Sequence, residues 1–347
     1  MRERKIRWQA PLFFAVPICL CVFWHTRCLT SAPRSDFPAF SKRYASGIRA
    51  HRRNYSHDLD RLSADDYSRL VDIDFTFTVL NGDCDERVFL LVLVHSSPGN
   101  FERRRVVRET WGGLGPNTTL VFLLGMVESD LVRAALRREN LAHRDLIQGD
   151  FLDVYRNLTY KHMMGLKYGL YHCPRAKYIL KTDDDVFVNA PLLRNSLAND
   201  LSDGGAVGVL LCNPKGRSAV LRSYRSKWRV GFDEYPDREY PSYCMGWAIV
   251  YSPDVAFGLY ETGQRTRYFW IDDVHVTGTL ALENGFSHAD LRDFVISADD
   301  LSDLVRYGTN PGKKFLFGRP DLGETEIRAL WRFVAEREAP ASAFDDP

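Results

Sequence analysis

The chain is expected to fold as an open α/β sheet whose strands run largely parallel, a single domain behind an N-terminal membrane anchor. Three observations predict this. From Arg87 onward, short unbroken apolar runs alternate with helix-like stretches, the pattern of strands buried on both faces. Aromatic residues make up 13% and apolar residues 45% of the 347 positions, enough for the core of an enzyme-sized domain. A basic N-terminus leads directly into an uncharged apolar run.

That run comes first in chain order. Arg2, Arg4, Lys5 and Arg7 form a tail (1–7) that the positive-inside rule keeps cytoplasmic, and 8–27 is read as a signal-anchor with Trp8 and Trp24 at its ends. Its uncharged core of about 17 residues covers roughly 25 Å, the short end for a bilayer. A cleaved signal peptide ending near Thr30-Ser31-Ala32 is the rival reading. Residues 28–84, rich in Arg, Ser, Asp and Pro, read as a stem, with Phe75–Leu80 a short strand at its end. The domain proper is placed at 85–335, followed by a tail, 336–347. Within it Val88–Val94, Leu120–Gly125, Asp145–Asp150 and Lys177–Lys181 read as strands, and Phe101–Trp111, 128–140 and Leu158–His172 as helices.

Composition excludes several functions. Lys plus Arg total 46 against 45 Asp plus Glu, so no basic field exists for nucleic acid. Neither GxGxxG nor a Walker motif is present. A lumenal domain suits the sequons at Asn54, Asn117 and Asn157, of which Asn54 and Asn117 are the expected glycan sites. It also suits an even set of cysteines, Cys84, Cys173, Cys212 and Cys244, which allows three pairings in two disulfides. Cys28, at the membrane edge, is positioned to link two chains into a homodimer.

The most informative octet is Lys181-Thr-Asp-Asp-Asp-Val-Phe-Val188. Three adjacent carboxylates at the end of an apolar strand repel one another, and a hard divalent cation that also binds a nucleotide diphosphate removes that cost. An acidic, solvated turn is the plain alternative. A second acidic pair, Asp272-Asp273, follows the apolar approach Tyr268–Ile271 and would enter a partly dry site; helix capping is its plain alternative.

Six blocks in register over about 84–335 resemble the β-1,3-galactosyltransferase family, which also holds β-1,3-N-acetylglucosaminyltransferases and brainiac: Arg104–Trp111, Asp150–Lys161, Lys181–Val188, Ser226–Trp228, Tyr240–Gly246 and Ile271–Val274. The resemblance implies a GT-A fold, a UDP-galactose or UDP-N-acetylglucosamine donor, Mn²⁺, inversion at the anomeric carbon, a glycan acceptor on protein or lipid, and single-pass type II topology in the Golgi membrane. It also implies donor contacts for Arg104, Arg108, Asp150, Lys161, Asp183 and Asp184, and a metal-bound Asp185 with Asp183 beside it. Asp273 is expected to be the catalytic base, with Asp272 second. Trp228, Tyr243 and Trp247 are expected to wall the acceptor. No histidine follows His288, where the family usually carries one that completes the metal site, so either Asp321 or water substitutes or metal affinity is low. A catalytically silent lumenal binder of the same fold is the rival function.

Overall fold

The computed structural model describes residues 49–50, 75–81, 84–113, 115 and 117–338. The cytoplasmic tail, the expected anchor, Cys28, Asn54, most of the stem and residues 339–347 lie outside the described residues. Among those described, no helix is long and apolar enough to cross a membrane.

Eight strands form one sheet: β1 (Phe77–Val79), β2 (Leu90–His95), β3 (Thr118–Met126), β4 (Leu146–Leu152), β5 (Tyr178–Asp183), β6 (Leu210–Lys215), β7 (Tyr243–Tyr251) and β8 (Ala289–Asp290). Their spatial order is β8-β6-β7-β5-β2-β3-β4-β1. The run from β5 through β2 and β3 to β4 is parallel, as the apolar runs imply. β2 sits centrally and every residue in it is buried, which is why its sequence carries no polar alternation. The irregular second half of the chain contributes β7, antiparallel between β5 and β6.

Between the parallel strands run α1 (Phe101–Glu109), α2 (Asp130–His143) and α3 (Leu158–Tyr171). α3 is apolar nearly all round and buried along its length. Gly165 and Gly169, one turn apart, let it lie flush on the sheet. A β-carbon on Gly165 would meet Leu123 Cδ1 at 2.6 Å, and one on Gly169 would press on Ile179 and Leu91. This seating holds the first turns of α3, with Lys161 and His162, at the carboxyl edge of the strands. On the other side of that edge, α4 (Asp272–Val274) continues into a π-helical turn, His275–Leu280. The C-terminal helix α5 (Glu324–Glu338) follows a segment in which Leu322 N–H donates to the Asp185 carbonyl at 3.0 Å.

Of the three pairings open to four cysteines, the chain makes Cys84–Cys173 and Cys212–Cys244. The second joins β6 to β7 beside an irregularity between Cys244 and Ile249.

Candidate active site

The sheet delivers its acids to one edge. β5 ends at Asp183, so the triplet 183–185 emerges beside Ser96, just past β2, and near Asp153, just past β4. Lys161 Nζ ties these ends together, donating to the Ser96 carbonyl at 2.6 Å and to Asp153 at 2.8 Å. Asp184 is buried and accepts from Ser96 Oγ at 2.7 Å and Asn100 Nδ2 at 2.9 Å. Arg103, half exposed on α1, bridges Asp184 at 3.3 Å and Asp185 at 2.7 Å. Burial, partly offset by Arg103, leaves the Asp185 carboxyl above its ordinary value. Asp183 takes Lys181 Nζ at 2.9 Å, because residues two apart on a strand share a face.

Lys181 also leads to the second acidic run. Its Nζ donates to the Gly246 carbonyl at 2.5 Å, in the irregular stretch of β7. A side chain on Gly246 would overlap the Asp273 carboxylate, so glycine there makes room for the acid. Asp272 and Asp273 are neighbours at the start of α4 and divide their charge unequally. Burial lifts Asp273 well above the ordinary aspartate range, and the adjacent Asp272 charge adds to it. Burial pushes Asp272 the same way, but the hydrogen bond to His162 and the charge of Lys181 outweigh it and hold it below its ordinary value.

Both aspartates line a pocket of about 300 Å³ with aromatic walls that include Tyr155, Trp228, Tyr243 and Trp270. Trp228 Nε1 donates to the Tyr155 hydroxyl at 2.5 Å, which fixes one wall to the turn before α3. The pocket is wide enough for a sugar ring, whose C–H faces stack on such walls.

Several residues singled out from the sequence lie elsewhere. Arg104 is fully buried; its guanidinium grips Glu139 at 2.7 Å, Ser96 Oγ at 3.0 Å and the Ser97 carbonyl at 2.6 Å. It shapes the turn after β2 and has no N–H directed at a donor. Arg108, one turn on, faces α2 and pairs with Glu139 and Asp145, both at 2.7 Å. Asp150 accepts from the Thr76 backbone at 2.8 Å and its hydroxyl at 2.7 Å, so it closes the sheet edge rather than the cleft. Asp153, three residues later, is the acid that meets Lys161. Trp247 packs against Phe317 and does not line the aromatic pocket, since the register shift in β7 breaks the two-residue alternation that would align it with Tyr243 and Met245. Asn117 is exposed in a left-handed conformation, whereas Asn157 is half buried and donates to the Leu152 carbonyl at 2.8 Å. Arg103, Asp153, His162, Lys181, Tyr155 and Trp270 were not singled out. Only Lys181 had a signal, its two-residue spacing from Asp183.

A family model described as Galactosyltransferase matches residues 102–292, more than half of the chain. The chain belongs to the galactosyltransferase family. It is 33% identical over 220 residues to Beta-1,3-galactosyltransferase 1 of Mus musculus and of Homo sapiens, covering 59% of this chain and 66% of each relative. It is 36% identical over 204 residues to Beta-1,3-galactosyltransferase 5 of Mus musculus, covering 57% and 65%. The match thus spans just under two thirds of the length of these curated relatives. Among solved structures, the glycosyltransferase GlyE of Streptococcus pneumoniae TIGR4 aligns over 72% of this chain and 62% of its own at 8% identity. Its TM-score, 0.36, is too low to bear on fold or chemistry. The matched region contains both acidic runs, Asp183–Asp185 and Asp272–Asp273.

Proposed function

We propose that this chain transfers galactose, or in second place N-acetylglucosamine, from a UDP-sugar to a glycan hydroxyl on protein or lipid, with inversion and in β-1,3 linkage. The carrying observation is the aspartate pair lining the aromatic pocket: Asp272 is held by His162 at 3.0 Å, and beside it burial and that neighbouring charge push Asp273 well above its ordinary range. In this reading the acceptor ring stacks in the aromatic pocket and its hydroxyl gives its proton to the Asp273 carboxylate. The oxygen forms a bond to the anomeric carbon, the bond from that carbon to the diphosphate breaks, and the pair of electrons leaves with UDP. Asp273 then returns its proton to solvent. The membrane-anchored, type II Golgi setting belongs to the same proposal and rests on the N-terminal sequence, as does a homodimer linked through Cys28.

The residues present do not fit the Mn²⁺ implied by the resemblance without rearrangement. Among the described residues no three His, Cys, Asp or Glu side chains converge as a metal group. The triplet's carboxylates already hold Lys181 and Arg103, and a cation bound through Asp185 plus substrate phosphates would have to displace Arg103. No step above passes through a metal.

The test uses the full-length chain purified in detergent, with UDP-galactose and UDP-N-acetylglucosamine each offered to a panel of terminal sugars, scoring acceptor-dependent UDP release and product linkage by NMR. A β-1,3 product is expected. UDP binding with no turnover on any acceptor would favour the silent lumenal binder, a reading supported by the ion pairs that Lys181 and Arg103 make with the triplet.

A further inference from the structure

Behind the two pocket aspartates lies a buried polar chain that the transfer reaction as described does not use. His162, on the first turns of α3 and 1% exposed, places Nδ1 3.0 Å from Asp272 Oδ2 and Nε2 2.9 Å from the Tyr251 hydroxyl on β7. An ionised carboxylate only accepts, so Nδ1 carries the hydrogen and donates to Asp272. That leaves Nε2 bare, and the Tyr251 O–H donates to it. Both ring nitrogens are thereby committed, one tautomer is selected, and the ring is locked from both ends. Burial also keeps the imidazole uncharged, its pKa lying below the ordinary value.

The geometry points to His162 as a positioning residue: anchored by Tyr251, it clamps Asp272 as a fixed, ionised carboxylate and so leaves Asp273 as the proton acceptor. The inference deepens the transferase reading and rests on it. Two adjacent buried carboxylates resist ionising together, and the one given a dedicated donor keeps the charge. Of the pair, Asp272 has the imidazole; Asp273 sits against Gly246 with no side-chain donor among the described residues. The other titratable groups facing His162 do not offer an equivalent clamp. His95 on β2 meets it edge to face at 5.6 Å, with an unpartnered buried Nε2. His275, on the π turn, is held uncharged by burial, with a pKa of about 4. Lys181 on β5 is committed through Nζ to Asp183 and the Gly246 carbonyl, and Lys161 to the Ser96 carbonyl and Asp153.

The experiment compares His162→Leu, which removes the donor at similar volume, with His162→Asn, which keeps an N–H near the Nδ1 position, both in the full-length chain with UDP-galactose and its best acceptor. For His162→Leu, kcat is expected to fall about 100-fold, the scale of a slightly misplaced reacting group, with acceptor KM within about threefold of wild type. The acid limb of the pH–rate profile moves to lower pH. Asp272 without its donor takes up a proton, its charge no longer opposes ionisation of Asp273, and the base ionises earlier. His162→Asn restores most of kcat and returns the limb toward wild type. Equal losses in both variants with an unmoved limb would mean that the ring only fills space, and overturn the inference; so would wild-type kcat in His162→Leu. Should His162→Leu fail to fold, Tyr251→Phe removes only the far hydroxyl, and a limb and rate identical to wild type would overturn the inference in its place. If the wild-type chain turns over no acceptor, the transferase reading falls on its own. The clamp is then decided by ¹⁵N NMR of the histidines, where any His162 tautomer other than Nδ1–H overturns it.

Discussion

The two acidic runs of this chain, 183–185 and 272–273, are the same chemistry in opposite surroundings. In the first, each carboxylate has protein partners: Lys181 for Asp183; Ser96, Asn100 and Arg103 for Asp184; Arg103 again for Asp185. In the second, Asp272 takes the His162 imidazole, while Asp273 has only the Gly246 backbone N–H and the charge of Lys181 to set against burial and a like charge. Burial raises Asp183 and Asp185 too, but the ion pairs with Lys181 and Arg103 oppose it, whereas at Asp273 the like charge of Asp272 adds to burial and makes it the readiest proton acceptor. Residue identity does not separate the runs. Their neighbours do.

The sharpest break in this contrast is Asp273→Asn. It should cost at least about 10³-fold in acceptor-dependent UDP release while leaving UDP binding by calorimetry unchanged, the upper range for loss of a general base. An active Asp273→Asn would move the base elsewhere. The same contrast sets a pH dependence. Asp273 must be ionised to work and its pKa is raised, so the rate should be lost as pH falls through a value well above the ordinary 3.8, and regained above it. Next in size is the covalent tie under the β7 irregularity. Replacing Cys212 and Cys244 by Ser opens a bridge of separation 32 and should lower stability by about 3–4 kcal/mol in chemical denaturation. An unchanged midpoint would show that the sheet alone holds Gly246 against Asp273. Trp228→Ala removes one wall of the pocket and should raise acceptor KM about tenfold with kcat nearly constant, within the range for an aromatic contact. The smallest effect is expected at the satisfied run. Arg103→Gln should tighten Mn²⁺ binding by about fivefold in calorimetry, since a half-exposed ion pair is worth about 1 kcal/mol at most. No change would mean that Arg103 does not compete with a cation for Asp185.

Much of the scaffold could be read in advance, and for a reason. The apolar runs ending at Val94, Gly125 and Lys181 lie in three of the parallel strands, because a strand covered on both faces has no position for a polar residue. The acidic runs were legible as well, since clustered carboxylates have no use in packing. Side-chain direction was not. Arg103, Arg104 and Arg108 share one helix, yet Arg103 reaches Asp185 while Arg104 and Arg108 turn to Glu139, a choice made by about 100° of helical rotation per residue and by where α2 packs. Asp150 was expected to face the cleft with Lys161, but β4 placed Asp150 at the sheet edge, and Asp153, at the strand's carboxyl end, is the acid that meets Lys161. Trp247 was expected to share an acceptor wall with Trp228 and Tyr243, but the register shift between Cys244 and Ile249 breaks the alternation that would put it on the face of Tyr243.

Local pattern by itself determined that this protein builds an open α/β sheet with acids at strand ends, because hydrophobic periodicity and charge repulsion act between residues close in the chain. Which acid is satisfied and which is strained, which arginine faces the cleft, and which cysteines join were decided only by the tertiary structure. Those outcomes depend on partners far away in sequence, such as His162 and Asp272 at a separation of 110, and no spacing rule reaches that far.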